Sequence, residues 1–338
     1  MFIKTVILTG GGTAGHVIPS LALLPELKKR NVNAVFIGGD GMEKDLVPAS
    51  GIPFHSVSVV KFDRKNPFNN LKIPAKLIKG TVEAEEIFGF VKPDVVFAKG
   101  GYASLPACFA AKKLSVPVVV HESDYSFGLA NRIIKKFAAA TLTSFPETGG
   151  KYVGNPVRRE ILCGNKYRAK TIYPVNPNKK TVLIFGGSSG ATKINETVYS
   201  GLDELTKKYN IIHIAGKNGD FTKKSKDYFQ IRYASDIADL FALCDTAVSR
   251  GGANALSELA ALNKPSVIIP LPKGTSRGDQ LDNAKSYKKR GYFEILPQNE
   301  LTVDSLLAAI NNAKINDNPT SYAADAIKLI VDEIEKYC

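Results

Sequence analysis

Twice in this chain a short, almost wholly apolar run ends directly in a cluster of glycines. Ile7-Leu8-Thr9 leads into Gly10-Gly11-Gly12-Thr13-Ala14-Gly15-His16, and Leu183-Ile184-Phe185 leads into Gly186-Gly187-Ser188-Ser189-Gly190-Ala191. A strand buried on both faces reads as such a run, and glycines behind it let the backbone turn tightly into a helix. The pattern therefore points to a parallel sheet flanked by helices, built twice. Around both clusters, short β-rich runs alternate with segments of helical period, as α/β folds require. In the first half the runs fall at 2–8, 34–37, 55–59, 95–98 and 116–120, with helical stretches at 21–30 and 105–114. After Asn155-Pro156 and the breakers Pro174, Pro177 and Asn178, the pattern restarts at 181–185 and continues through 211–215, 246–249, 266–269 and 293–295. A final amphipathic helix is expected at 322–337, behind Asn318-Pro319. The 338 residues thus read as two α/β halves joined near 154–180.

Apolar residues at 44% and charged residues at 23% suffice to build such cores and cover them, which excludes disordered, collagen-like and coiled-coil chains. No apolar run approaches the roughly 20 residues of a membrane span. The opening residues lack the basic start and small-residue cleavage site of a signal peptide, so a cytoplasmic location is expected. Cys108, Cys163, Cys244 and Cys338 show no paired spacing, which fits a reducing compartment and offers no metal framework. Cys108, between Ala107 and Phe109, reads as core. A net charge of +13 requires a polyanionic partner, and nucleic acid, an anionic membrane and phosphorylated substrates all qualify.

The first cluster, Gly10-x-Gly12-x-x-Gly15, satisfies the dinucleotide fingerprint, in which glycines admit a diphosphate to a helix N-terminus. Asp40 would then serve as the ribose carboxylate of a nicotinamide enzyme. A tight turn without ligand is the plainer reading. His16, at the end where open sheets place ligands, is a candidate general base, or a histidine that only donates to backbone or phosphate. A third cluster, Ser249-Arg250-Gly251-Gly252-Ala253-Asn254-Ala255, again follows a strand, and Glu258 one turn on is placed to hold a ribose diol. Ser276-Arg277-Gly278-Asp279-Gln280-Leu281-Asp282-Asn283 reads as a polar loop suited to sugar hydroxyls. The chain has no P-loop ending, HExxH, DxD pair or GxSxG elbow, and with only four histidines a metal site is not expected.

Taken together with Lys99-Gly100-Gly101-Tyr102, His121-Glu122-Ser123-Asp124 and Gly154-Asn155-Pro156-Val157-Arg158, these motifs resemble, in order and spacing, the MurG family of peptidoglycan glycosyltransferases. The similarity runs from about residue 3 to 336. The resemblance implies an α/β fold of the GT-B class, two Rossmann-like domains with parallel sheets facing across a cleft. Residues 1–157 would form an acceptor and membrane-facing domain, with the helix 322–338 crossing back to it, and 158–321 the UDP-GlcNAc-binding domain. The reaction implied is inverting transfer of N-acetylglucosamine from UDP-GlcNAc to the MurNAc 4-hydroxyl of undecaprenyl-pyrophosphoryl-MurNAc-pentapeptide, without cofactor or metal. Carried over by motif, Glu258 would bind ribose, and Ser188 with the backbone near Asn254 and Ala255 the diphosphate. Arg158 and Arg250 would line the donor site, and Gln280 would meet sugar hydroxyls. Gly12, Thr13 and Gly15 would also contact the donor, Thr13 and His16 facing the reacting centre from the other side, with Tyr102 toward the acceptor.

Two departures matter. Asp124 stands where some members carry Asn, which makes it a rival to His16 as base, and Asp279-Gln280 stands where some carry a glutamine pair. Rival readings are a UDP-sugar epimerase, a diacylglycerol glycosyltransferase, a nicotinamide oxidoreductase and a non-enzymatic sugar-nucleotide sensor. Residues 61–79 interleave basic residues, among them Lys65, Lys72, Lys76 and Lys79, with apolar ones. With a lipid-linked acceptor, this mixture implies peripheral contact with an anionic membrane at its cytoplasmic face, and no nucleic-acid partner.

Overall fold

The computed structural model describes residues 4–60, 72–187, 190–274, 278–319 and 322–338. The chain divides into two compact units, unit 1 comprising Met1–Val157 with Ala324–Cys338, and unit 2 comprising Arg158–Ala323. Among the described residues unit 1 holds seven parallel strands: β1 (Lys4–Gly10), β2 (Val32–Gly38), β3 (Phe54–Ser56), β4 (Val95–Gly100), β5 (Val118–Glu122), β6 (Ala140–Thr143) and β7 (Lys151–Tyr152). They are ordered β3-β2-β1-β4-β5-β6-β7. Unit 2 has β8 (Lys180–Phe185), β9 (Tyr209–Ile214), β10 (Tyr228–Ile231), β11 (Thr246–Ser249), β12 (Ser266–Ile268) and β13 (Glu294–Ile295), ordered β10-β9-β8-β11-β12-β13. Both sheets therefore follow one doubly wound plan, whose strand order reverses between β1 and β4 and again between β8 and β11. Ligands of such sheets bind at the carboxyl ends of the strands beside that reversal, where the glycine clusters lie.

Continuous apolar runs form these strands because both faces are covered. In β1, Val6 and Leu8 enter one core with Phe36, Val95 and Phe97, while Ile7 enters another with Ile37, Val96 and Ala98. The last helix, Tyr322–Glu335, places Ile330, Val331 and Ile334 in the first of these cores. Arg30 pins it through Asp332 and Glu335, each at 2.6 Å. Cys108 is buried, and burial pushes its thiol pKa up.

The structure departs from the sequence reading at element ends. β1, β4 and β5 run on to Gly10, Gly100 and Glu122, because pairing continues past the last apolar residue, Gly10 with Gly100 and Glu122 with Thr143. The stretch expected as helical at 21–30 holds the shorter helix Leu24–Lys29, and a separate helix, Ala14–Leu21, comes before it. Strands β6, β7 and β10 carried no sequence signal. The polar stretch read as a loop at 276–283 contains the start of a helix, Asp279–Lys289, with Gly278 as its left-handed N-cap. Residues 276 and 277 lie outside the described residues.

Candidate functional site

In unit 2 a cavity of about 520 Å³ opens at the ends of β8 and β11. Its lining includes Gly187, Gly190, Lys193, Arg250, Gly252 and Gln280. The helices Thr192–Ser200 and Ala253–Ala261 begin here, so their unbonded N–H groups add to the positive potential of Lys193 and Arg250. Among the described residues no carboxylate lines the cavity. Gly190 is required at its position, with φ +87° and a carbonyl, that of Ala215, only 2.2 Å from where a Cβ would stand. At Gly187 and Gly252, by contrast, a Cβ would meet nothing within 4 Å, because that side of each turn is open space. Such a concavity, with backbone donors and cations along its described lining, suits a diphosphate.

Arg250 is buried and donates from Nη1 to the carbonyl of Ile269 at 3.1 Å, with burial lowering its pKa. Gln280 uses Oε1 to accept the N–H of Leu271 at 3.0 Å, which leaves its amide nitrogen as the group it can offer a ligand. Glu258 lies beyond the cavity lining, one turn along the helix from Ala255. Arg158 Nη2 stands 3.6 Å from Glu258 Oε1. Burial raises the Glu258 carboxyl pKa above its ordinary value, and Arg158 partly opposes that shift. Arg250, Ala255 and Gln280 thus share the cavity, Glu258 and Arg158 pair beside it, and Asn254 is the second residue of the Ala253–Ala261 helix. Ser188 lies outside the described residues.

The glycine turn of unit 1 is filled. Glu43, 1% exposed in the first turn of the helix Glu43–Ala49, sends its carboxylate into it. Oε2 accepts the N–H of Gly12 at 3.3 Å and Oε1 that of Gly39 at 3.1 Å. A Cβ on Gly12 would stand 2.4 Å from the Tyr102 ring. A carboxylate and a phenol of the chain itself therefore stand against this turn. Burial and Glu43 together raise the Tyr102 phenol pKa. Asp40, the ribose carboxylate of the nicotinamide reading, accepts the Ser56 hydroxyl at 2.7 Å.

Thr13 Oγ1 and His16 Nδ1 lie 2.9 Å apart, and His16 packs against Gly101, where a Cβ would stand 3.1 Å from Nδ1. Gly15 belongs to the same helix start, Ala14–Leu21. His16, Tyr102 and Asp124 thus follow β1, β4 and β5, which are neighbours in the sheet. Asp124 is half-buried, and its N–H bonds Glu122 Oε1 at 3.0 Å. Sequence reasoning missed Glu43, and it quoted Lys99, His121, Ser123 and Asn155 as motif residues without seeing that Lys99 joins the other three. The signal for this group was a lysine closing an apolar strand. Among the described residues no group of three or more His, Cys, Asp or Glu side chains is arranged to hold a metal ion.

On the helix Ile73–Val91, Lys72, Lys76 and Lys79 are exposed at the N-terminal end, with Ile78 and Val82 exposed beside them. Lys65 lies outside the described residues. Among the described residues no helix is long and apolar enough to cross a membrane.

Comparison with known proteins agrees with this architecture. Residues 6–143 match the glycosyltransferase family 28 N-terminal domain and residues 181–336 its C-terminal domain. A UDP-N-acetylglucosamine--N-acetylmuramyl-(pentapeptide) pyrophosphoryl-undecaprenol N-acetylglucosamine transferase of Lachnospira eligens is 42% identical over 91% of this chain and 90% of that protein. Its namesake in Clostridium botulinum (strain Loch Maree / Type A3) is 40% identical over 99% of each. The crystal structure of Acinetobacter baumannii MurG superposes with a TM-score of 0.76 at 24% identity, over 98% of this chain and 99% of that one. With two relatives at that identity over nearly its whole length, and family 28 N- and C-terminal domains matched in turn by the two doubly wound units, the chain belongs to the MurG family of glycosyltransferases.

Proposed function

We infer that the chain transfers N-acetylglucosamine from UDP-GlcNAc to undecaprenyl-pyrophosphoryl-MurNAc-pentapeptide, with unit 2 holding the donor and unit 1 receiving the acceptor. The observation that carries the division is the contrast between the two glycine turns. Unit 2 offers an open, cation-lined cavity at its helix N-termini, whereas in unit 1 Glu43 already takes the N–H of Gly12. The diphosphate would rest on the turns at Gly187, Ser188, Gly190 and Gly252, the N–H groups of Asn254 and Ala255, and Arg250. Glu258, oriented by Arg158, would take the ribose hydroxyls, and the amide nitrogen of Gln280 would donate to the sugar.

The chemistry follows from these parts. The acceptor hydroxyl oxygen attacks the anomeric carbon from the face opposite UDP. The carbon–oxygen bond to UDP breaks, and its electron pair leaves on the β-phosphate. Helix N-termini and arginine meet that charge, the role a metal plays in enzymes with a DxD pair. His16 or Asp124 takes the hydroxyl proton, with Thr13 holding the imidazole and Tyr102 bordering the acceptor. The lysines at 65, 72, 76 and 79, with Ile78 and Val82, would rest on an anionic membrane at its cytoplasmic face, where the lipid acceptor lies.

An assay with UDP-GlcNAc and the lipid-pyrophosphate acceptor tests this, reading UDP release and disaccharide-lipid product together. Both should appear in equal amounts and only with acceptor present. Release of UDP or conversion of the donor without acceptor would favour an epimerase, and binding of UDP without turnover would favour a sensor.

A further inference from the structure

Lys99 is 1% exposed at the end of β4, an unusual place for an ammonium group. Its three N–H bonds meet three acceptors: His121 Nδ1 at 2.6 Å, Asn155 Oδ1 at 3.0 Å and Ser123 Oγ. The polarity at His121 is fixed by its other nitrogen. Nε2 lies 2.8 Å from the carbonyl of Gly154, which can only accept, so Nε2 carries the proton and Nδ1 presents a lone pair to Lys99. Burial and the neighbouring ammonium hold that imidazole neutral, well below its usual range. Asn155 Oδ1 is shared, also lying 3.1 Å from Ser123 Oγ and 3.4 Å from Ser144 Oγ.

The loop after β5 is thus held at two buried charges. Glu122 accepts the N–H groups of Asp124 at 3.0 Å and Gly128 at 2.9 Å, and the Asn131 amide at 2.9 Å. Lys99 holds Ser123, the residue between Glu122 and Asp124. We propose that Lys99 is a positioning residue for the transfer reaction, its ammonium fixing Ser123 and Asn155 so that the loop bearing Asp124 keeps one arrangement at the open end of the unit 1 sheet. This rests on the reading that unit 1 receives the acceptor.

The arrangement is sensitive to pH. Burial pulls the Lys99 pKa down to about 7, against the opposing pull of Glu122 and Asp124. The remaining titratable groups around it are His121 on β5 and, across the β1 turn, His16 against Gly101 and Glu43 behind Gly11. A neutral amine has two N–H bonds and a lone pair, so of the three acceptors one is left facing that lone pair. The loop is therefore best ordered on the acid side and loosens as pH rises through the pKa.

The test uses the full chain, with kcat and acceptor KM measured between about pH 5.5 and 9, UDP affinity by calorimetry, and Tm. Lys99→Met should lower kcat about tenfold to a hundredfold, the cost of a misplaced reacting group, and remove the alkaline fall, with UDP affinity unchanged. Lys99→Arg, charged throughout, should recover part of the rate without the alkaline fall. Ser123→Ala should lower kcat several-fold, about three to ten times, and keep the fall. A Lys99→Met protein with reduced Tm but wild-type kcat and pH profile would overturn the proposal, as would unchanged kcat and acceptor KM in Ser123→Ala should Lys99→Met fail to fold. A wild-type chain that makes no disaccharide product would instead remove the acceptor reading itself.

Discussion

The turns after β1 and β8 begin alike, each a buried strand running into glycines that open a helix, yet one is filled and the other is open. Glu43 and Tyr102 close over Gly11 and Gly12, while Gly187 faces empty space in a cavity lined by Lys193 and Arg250. Glycine spacing therefore says where a backbone can be approached closely, and the residues arriving from elsewhere in the chain decide what approaches. In unit 1 the visitor is the chain's own carboxylate, which already takes the N–H groups of Gly12 and Gly39. In unit 2 it is a pair of cations.

The largest test of this contrast concerns turnover. If the nucleotide belongs to unit 2, removing His16 should affect chemistry and spare donor binding. His16→Ala is expected to lower kcat roughly 10²–10⁴-fold if the imidazole is the base, with UDP affinity unchanged by calorimetry. Asp124→Asn is its partner experiment, and the larger loss, together with loss of the acidic limb of the pH profile, identifies the base. A His16→Ala protein that no longer binds UDP would break the comparison, because the first turn would then be the nucleotide site.

Next in size is the carboxylate beside the open turn. Glu258→Gln removes a charge-assisted hydrogen bond to ribose, worth about 1.5–3 kcal/mol, or on the order of tenfold to a hundredfold in UDP affinity. Burial raises the Glu258 pKa, so its charge is lost at a higher pH than for an exposed carboxylate. Wild-type UDP affinity should therefore weaken as pH falls through that raised value, and the Gln variant should lack this step. The stability sign is opposite. Above the unfolded pKa of about 4.3 the buried ionised form costs folding free energy, and protonation relieves that cost as pH falls. Equal UDP affinity in a folded Glu258→Gln protein would take this residue out of the site.

How much of this was legible in the sequence depended on whether a residue's partners were near it in the chain. The central strands were readable because a strand covered on both faces is an unbroken apolar run, as at Val6-Ile7-Leu8. Lys99, His121 and Glu122 end such runs, so the reading stopped before residues that are themselves in the sheet. The glycine turns, and His16 behind the first of them, were readable from position alone, whereas Arg250 came with the family resemblance. Glu43 was not, since an acidic residue in a first helical turn is ordinary and nothing in its spacing says that the helix starts beneath Gly12. The helix at Asp279–Lys289 was hidden by a polar composition that suits a loop equally well.

A smaller pair of substitutions sharpens the contrast through stability. Gly11→Ala would place a methyl 2.3 Å from Glu43 Oε1 and 2.9 Å from the Ala103 Cβ, both buried. The clash should cost about 1–3 kcal/mol, read as a lower midpoint in urea. Gly187→Ala adds the same methyl to open space, so its midpoint should stay at the wild-type value while UDP affinity falls. Equal destabilisation by the two would mean that both turns are filled.

The smallest expected effect lies on the outer surface of unit 1. Lys72, Lys76 and Lys79 are exposed on or beside the helix Ile73–Val91, and Ile78 at 66% and Val82 at 47% exposure lie one turn apart on it. Unit 2 is expected to take its anion inside a cavity, where salt screens little. Unit 1 would meet anionic lipid across an open face, where screening over about 10 Å at 0.1 M salt weakens each contact. Each lysine near such a surface contributes about 1 kcal/mol, so Lys76→Gln alone should weaken vesicle adsorption roughly fivefold at low salt and much less at high salt. The apolar pair supplies a part that salt leaves alone, and Ile78→Ser should lower adsorption at both salt levels. Sedimentation with anionic and with neutral vesicles reads both effects. Equal adsorption to the two vesicle types, or none lost on Lys76→Gln, would move the membrane contact away from this helix, and UDP affinity should be unchanged in either variant.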